Sequence, residues 1–154
     1  MKILIRNQQR LRSLNKEQIS RTAEKILTIL EQPRAELSIL FVGERKMLQL
    51  NSAYRGIRRS TDVLSFDAEI PVTQTGPDDV IGDVVINVYR AEYQAETSGT
   101  GFYDEVYRLL VHGTLHLLGY DHEDTQYRAM KMKKKEEELL NAITKVDSEH
   151  ELRN

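Results

Sequence analysis

The stretch HGTLHLLGYDH, which runs from His112 to His122, holds three of the chain's four histidines. On a helix, His112 and His116 project from one face with an axial rise of about 6 Å, which one cation can bridge. Gly119 accepts the left-handed conformation that ends many helices, so the chain can turn there and bring His122 back to the same ion. The spacing therefore predicts three imidazole ligands on one metal ion, with a fourth position left for water, as in catalytic zinc sites.

The alternative is that these histidines are simply packed or solvated, as many helical histidines are. Their neighbours Leu110, Val111, Leu115, Leu117 and Leu118 are all apolar. Three imidazoles buried in such surroundings without partners would carry the free-energy cost of burying polar groups. A metal ion removes that cost, so the surroundings favour the metal site.

Composition restricts the class of protein. With 154 residues, 40% apolar and 30% charged, the chain suits one soluble globular domain, 1–154. The formal net charge of −2 does not favour nucleic acid, so RNA binding would need a local basic patch. The absence of cysteine excludes disulfides, thiolate ligands and a catalytic cysteine. No apolar run approaches the ~20 residues of a membrane span, so we expect a cytoplasmic protein without membrane contact.

Hydrophobic periodicity and chain breakers predict about four strands and about five helices. The predicted strands are 2–6, 37–42, 61–66 and 80–88. The predicted helices run from an Asn15 cap, with Gln18 in the reciprocal position, to Pro33, and then over 44–54, 89–96, 102–118 and 124–143. A loop is expected at 67–79 and a frayed tail from residue 144. The order predicts an α+β domain with a single mixed sheet, on which a zincin-like helix carrying the metal site packs.

The histidine spacing is that of the extended zinc-protease signature, His-Glu-x-x-His-x-x-Gly-x-x-His, with one departure. The protease keeps a glutamate beside the first histidine as general base, whereas this chain has Gly113. Glycine cannot transfer a proton, so the sequence keeps the predicted metal ligands of a peptidase and loses its base. A zinc metallopeptidase-like hydrolase is therefore the weaker alternative.

The complete string His-Gly-x-Leu-His-Leu-x-Gly-Tyr-Asp-His resembles the YbeY family, bacterial metal-dependent endoribonucleases of ribosomal RNA maturation and ribosome quality control. Two further blocks carry the resemblance: Asn51-x-x-Tyr54-Arg55 followed by TDVLSF at 61–66, and GDVVI at 82–86. The similarity covers about residues 48–140. The departures from the family pattern lie in the loop 70–79 and in the turn before the metal helix, where Arg108 stands among residues that are usually apolar or histidine.

The resemblance implies a zinc-dependent, single-strand-specific endoribonuclease that acts in 16S rRNA maturation. His112, His116 and His122 would hold one Zn²⁺, and metal-activated water would attack the phosphodiester. Arg55 matches the family's functional arginine and would bind the scissile phosphate, so Arg55 and His112 are the predicted catalytic residues. The implied partners are single-stranded RNA, ribosomal RNA, the small ribosomal subunit, a ribosome-assembly GTPase and a small-subunit protein.

The proton carrier is left open by the sequence. Asp121 lies beside the last predicted ligand and could orient a histidine or move a proton, but a turn cap explains it equally well. Asp83 and Ser65 lie on predicted strands and could face the cleft, or could make hydrogen bonds within the fold. The remaining alternative function is a non-catalytic ribosome-assembly factor, in which the metal is structural.

Charged residues form two further patterns. One is a possible basic strip for an RNA backbone, which scattered surface arginines explain as well; its members are Arg6, Arg10, Arg12, Arg58 and Arg59. The other is the run of lysines and glutamates at 131–138, which we interpret as a solvated helix face. Lysine precedes glutamate there, the less favourable order along a helix, so the run predicts little stabilisation.

Overall fold

The computed structural model describes residues 1–68, 79–120 and 125–153, with side chains described as far as Thr144. Four strands are present in this part of the chain: β1 (Lys2–Asn7), β2 (Ala35–Val42), β3 (Val63–Asp67) and β4 (Asp79–Asn87). The five helices are α1 (Lys16–Ile29), α2 (Glu44–Arg55), α3 (Val88–Ser98), α4 (Phe102–Leu117) and α5 (Gln126–Arg153). The predicted α+β class is confirmed, and most predicted bounds lie within two residues of these.

One mixed sheet has the strand order β1-β2-β4-β3. Strands β1 and β2 are parallel, as are β2 and β4, whereas β3 runs antiparallel to β4 at the edge. The two central strands carry apolar side chains on both faces, so both faces must be covered. Helices α1, α3, α4 and α5 share a core with one face, and α2 packs on the other.

Helix α4 carries the two histidines and lies against β3 and β4. Gly113 makes this close approach possible: a Cβ atom there would lie 2.8 Å from Val84 Cγ1 and 3.1 Å from Ser65 Oγ. Both distances are shorter than ordinary van der Waals contact. The prediction that this helix packs on the sheet is confirmed, and the glycine that replaces the protease glutamate has a packing role.

Local signals also place the helix ends. The Asn15 side chain accepts a hydrogen bond of 3.1 Å from the Gln18 backbone N–H, which confirms the predicted N-cap of α1. The backbone N–H of Asn15 donates to the Tyr103 hydroxyl at 2.9 Å, so the predicted reciprocal partner, the Gln18 side chain, is replaced by a residue of α4. This contact ties the start of α1 to the first turn of the histidine helix.

The chain's last helix extends beyond its predicted end at residue 143, since α5 is helical to Arg153. Fraying of this tail and the single-domain organisation stay predictions. Most of the predicted loop 67–79 lies outside the described residues. In the described ranges, none of the helices combines the length and the apolar character needed to cross a bilayer.

Candidate active site

His112 and His116 lie one turn apart on α4, and their rings converge. The Nε2 atoms of the two imidazoles are 3.1 Å apart, and the ring planes are inclined at 72°. Two nitrogens bound to one tetrahedral zinc at about 2.0–2.1 Å would be separated by about 3.3 Å, close to this distance. The two side chains therefore suit neighbouring ligand positions on one ion.

The third predicted ligand, His122, lies outside the described residues, as does Asp121. Over the ranges that the structure describes, no three histidine, cysteine or carboxylate side chains form a metal-binding group. The geometry thus accounts for a pair of nitrogen donors, and His122 as a ligand stays a prediction from sequence spacing.

Glu136 on α5 holds the other nitrogen of His112. Its Oε1 atom lies 2.5 Å from His112 Nδ1, and its side chain is only 21% exposed. The interpretation of the 131–138 run as a solvated face is wrong at this residue. A signal was present, because Glu136 falls in the helical stripe of Met132, Leu139 and Ile143, all of them buried.

A cleft of about 540 Å³ opens beside the two histidines. It is lined by Arg55, Thr61, Asp62, Val63, Leu64, Ser65, Asp67, His112, His116, Gly119 and Tyr120. Arg55 comes from the last turn of α2, which ends at Gly56 in the left-handed conformation (φ 69°). Arg55 and His112, 57 positions apart along the chain, thus line one cavity.

Residues 4–144 match the profile of the family described as Endoribonuclease YbeY. The chain belongs to the YbeY family. Two bacterial relatives bear that same description: one from Petrotoga mobilis, 38% identical over 94% of this chain and 97% of the relative, and one from Geobacter sulfurreducens, 38% identical over 91% and 94%. A Thermotoga maritima protein solved in solution shares the fold, with a TM-score of 0.66 and 24% identity over 99% of this chain and 95% of that one.

The Asn51–Arg55 block, which suggested the YbeY family from sequence, shapes the turn that presents the arginine. Asn51 is 2% exposed, and its side-chain amide donates a 2.8 Å hydrogen bond to the backbone carbonyl of Arg59. Tyr54 packs edge-on against Phe66 of β3, with ring centroids 5.4 Å apart. Arg55 itself is exposed and forms no ion pair with any residue the structure describes. Its guanidinium is therefore open to a ligand.

Arg108 belongs to a polar network beside the cleft. Its Nε atom donates to Glu105 at 2.9 Å, and this hydrogen bond is the main cause that raises the pKa of Arg108. Its Nη2 atom lies 4.0 Å from Asp62 Oδ2, which also accepts a hydrogen bond from Gln94 at 3.3 Å. Arg108 therefore places a cation beside the site. The sequence interpretation did not identify Asp62 and Asp67 as residues that line the cleft.

The predicted proton carriers have different positions. Ser65 lines the cleft and donates a 2.9 Å hydrogen bond to the carbonyl of Gly113. Asp83 is exposed and does not line the cleft, because the next residue, Val84, faces α4 and strand neighbours point to opposite faces. Among the described candidates, only Ser65 is placed near the histidines.

One residue of the possible basic strip, Arg12, makes contacts within the fold. Arg12 pairs with Glu92 at 3.7 Å and lies over the Phe102 ring, 4.0 Å from its centroid. The other members, Arg6, Arg10, Arg58 and Arg59, are exposed and lie outside the cleft lining. Their binding to an RNA backbone stays a prediction.

Proposed function

We propose that this chain is a zinc-dependent, single-strand-selective endoribonuclease that acts in 16S rRNA maturation and ribosome quality control. Membership of the YbeY family supports a nuclease that acts on RNA phosphodiester bonds. The observation that carries the site assignment is the shared cleft: two imidazole Nε2 atoms 3.1 Å apart open into the cavity that Arg55 also lines. A metal ligand pair and a phosphate-binding cation together support metal-assisted phosphodiester hydrolysis.

The metal would be held by His112 and His116 through Nε2, with His122 supplying the third nitrogen. Neutral imidazoles suit zinc and also copper, iron and nickel, so the assignment of zinc rests on the family resemblance. Bound there, zinc would lower the pKa of a water ligand towards about 7 and polarise a phosphoryl oxygen. Because a zinc-bound water with a lowered pKa would supply the hydroxide, hydrolysis would not need the protease glutamate that Gly113 replaces.

Arg55 would bind the scissile phosphate. A guanidinium presents two parallel N–H groups that match two phosphate oxygens, and it stays charged at all relevant pH values. From the edge of the cleft it can orient the phosphodiester towards the histidine pair and stabilise the charge that develops on the phosphate. The buried Asn51 and the Tyr54–Phe66 contact hold the turn beneath it.

A single-stranded substrate fits this arrangement, because a flexible backbone can align one phosphodiester with both the arginine and the histidines. The preference itself, and the partners, come from the family resemblance: ribosomal RNA, the small ribosomal subunit, an assembly GTPase and a small-subunit protein. We assign the protein to the cytoplasm on the same basis.

Packing weighs against the peptidase alternative. A side chain at position 113 would collide with Val84 and Ser65, so no glutamate can occupy the place of the protease base. Glu136 does not replace it, because it contacts Nδ1 of His112, the nitrogen opposite the one that faces His116.

The test is cleavage of matched single-stranded and double-stranded RNA by zinc-reconstituted protein, beside His112→Ala and Arg55→Ala. We expect cleavage of the single strand only, and loss of that cleavage in both variants. Unchanged cleavage in both would reject the assigned site. Normal 16S rRNA processing in cells that carry His112→Ala, with only a lower melting temperature, would favour an assembly factor with a structural metal.

A further inference from the structure

We propose that Glu136 is a positioning residue of the metal site, which fixes the tautomer of His112 and makes helix α5 part of the metal centre. The inference rests on the metal-binding part of the proposed function. It concerns a residue outside the histidine motif, on a helix that the motif does not reach.

The contact determines where the imidazole proton lies. An ionised carboxylate only accepts hydrogen bonds, so the 2.5 Å contact between Glu136 Oε1 and His112 Nδ1 requires a proton on Nδ1. A neutral imidazole carries one such proton, which leaves the lone pair on Nε2. That nitrogen is the one that lies 3.1 Å from His116 Nε2. Glu136 thus directs the metal-binding lone pair of His112 towards its neighbour.

Burial strengthens the interaction. The side chains of His112 and Glu136 are 27% and 21% exposed, so water screens this contact less than it screens a surface pair. A carboxylate that accepts from the distal N–H of a histidine ligand raises the basicity of the ligating nitrogen. Removal of such a partner lowers metal affinity by about 10–100-fold.

The position of Glu136 on α5 gives it this role. Met132 and Leu139, on the same stripe, are each 1% exposed and pack in the main core, which fixes the helix beside α4. The next residue, Glu137, is exposed. Adjacent glutamates on one helix therefore differ in burial and in contact with His112, and they provide a pair matched in charge and side-chain shape.

The experiment compares Glu136→Gln with Glu137→Gln. Both remove one negative charge from α5 and keep the side-chain shape, so both variants should fold. A glutamine at 136 can either donate to or accept from Nδ1, which removes the obligation to keep the proton there. The readouts are the ¹⁵N imidazole spectrum of the metal-free protein, which reports the tautomer, and Zn²⁺ affinity by competition with a chromophoric chelator.

We expect the unsubstituted protein and Glu137→Gln to show His112 protonated at Nδ1 alone. For Glu136→Gln we expect a mixture of tautomers and a 10–100-fold weaker affinity for Zn²⁺. Equal spectra and equal affinities for the two variants would overturn the inference. Failure of the unsubstituted protein to bind Zn²⁺ would instead reject the metal-dependent function, and the tautomer spectrum would still test the role of Glu136.

Discussion

The hydroxyl of Ser65 donates a 2.9 Å hydrogen bond to the backbone carbonyl of Gly113, across the contact between β3 and α4. Gly113 is the neighbour of His112, so the sheet is joined to the histidine helix beside the first predicted ligand. The same contact leaves no room for a side chain at position 113. The position of the histidines relative to the cleft therefore depends on a residue without a side chain.

Gly113→Ala should destabilise the protein. In an exposed helix, alanine in place of glycine stabilises by about 1 kcal/mol, whereas overpacking a core contact costs about 1–3 kcal/mol. A Cβ at 2.8 Å from Val84 makes the second effect the larger one. Urea denaturation should show a lower free energy of unfolding. In the Gly113→Ala/Val84→Ala double variant, part of that loss should be recovered relative to the sum of the single variants. A stabilising Gly113→Ala would contradict the close packing.

Arg55→Ala should lower RNA cleavage by about 10²–10³-fold, the usual effect of removing one group that stabilises transition-state charge. The free energy of unfolding of the Arg55→Ala variant should change by less than about 0.5 kcal/mol, because Arg55 is exposed. Arg45→Ala is the control, since this exposed arginine lies in the first turn of the same helix and does not line the cleft. Equal cleavage rates for the two variants would remove Arg55 from the site.

Zinc should stabilise the folded protein. An ion that binds only the folded state adds about 2.7 kcal/mol at a free concentration of 100 Kd, which raises Tm by about 5–10 °C in a domain of this size. Calorimetry with and without a chelator measures the shift. In His116→Ala the shift should be abolished or greatly reduced, and a full shift in that variant would show that zinc binds elsewhere.

Glu44 should contribute a pH-dependent part of the stability. Burial alone would raise its pKa, but hydrogen bonds from Arg90, Asn87 and Ser60 outweigh this and hold the pKa below its ordinary value of 4.5. A lowered folded pKa gives stability that is present above 4.5 and is lost as the pH falls through the folded pKa.

Glu44→Gln should therefore be less stable than the unsubstituted protein at neutral pH, and the difference should shrink as the pH falls below 4.5. We expect the difference in the free energy of unfolding to be less than about 1 kcal/mol, because the Glu44 side chain is 40% exposed. Urea denaturation over this pH range measures it, and a difference independent of pH would contradict the assignment.

Within the possible basic strip, Arg12 makes structural contacts, whereas RNA binding by Arg58 and Arg59 is a prediction. Arg12→Ala should lower the free energy of unfolding by about 0.5–1 kcal/mol, through loss of its stacking on Phe102 and its pair with Glu92. Arg58→Ala/Arg59→Ala should leave stability unchanged and reduce the slope of log K against log salt by up to about 1.4 for a single strand. An unchanged slope in the double variant would exclude both residues from the RNA interface.

The sequence predicted local structure best where a residue type strongly favours one local conformation or contact. The approach of His112 and His116 on one helix face, the Asn15 cap and the left-handed Gly119 follow from local geometry, and the structure agrees with each of them. Arg55 was placed near the histidines by family resemblance alone, since no local pattern relates α2 to α4. Its position depends on how the helices on the two faces of the sheet are arranged, which is set by tertiary packing.

The contact between Glu136 and His112 could not be predicted from the local sequence. In a run of lysines and glutamates it resembles its exposed neighbours, and only the helical stripe it shares with Met132 and Leu139 distinguishes it. Its partner His112 lies 24 residues away. The side of the sheet that Asp83 faces was equally undetermined, because strand alternation assigns faces only when the packing partner is known.

If the cleft between Arg55 and the histidine pair is a metal-dependent nuclease site, zinc binding and RNA cleavage should rise together. The most direct test is a titration of metal-free protein with Zn²⁺, in which bound metal and cleavage of a single-stranded RNA are measured on the same samples, beside His116→Ala. We predict that cleavage rises with the first bound ion per chain, reaches a plateau there, and is absent in the variant. Cleavage by the metal-free protein, or equal cleavage by His116→Ala, would contradict the account.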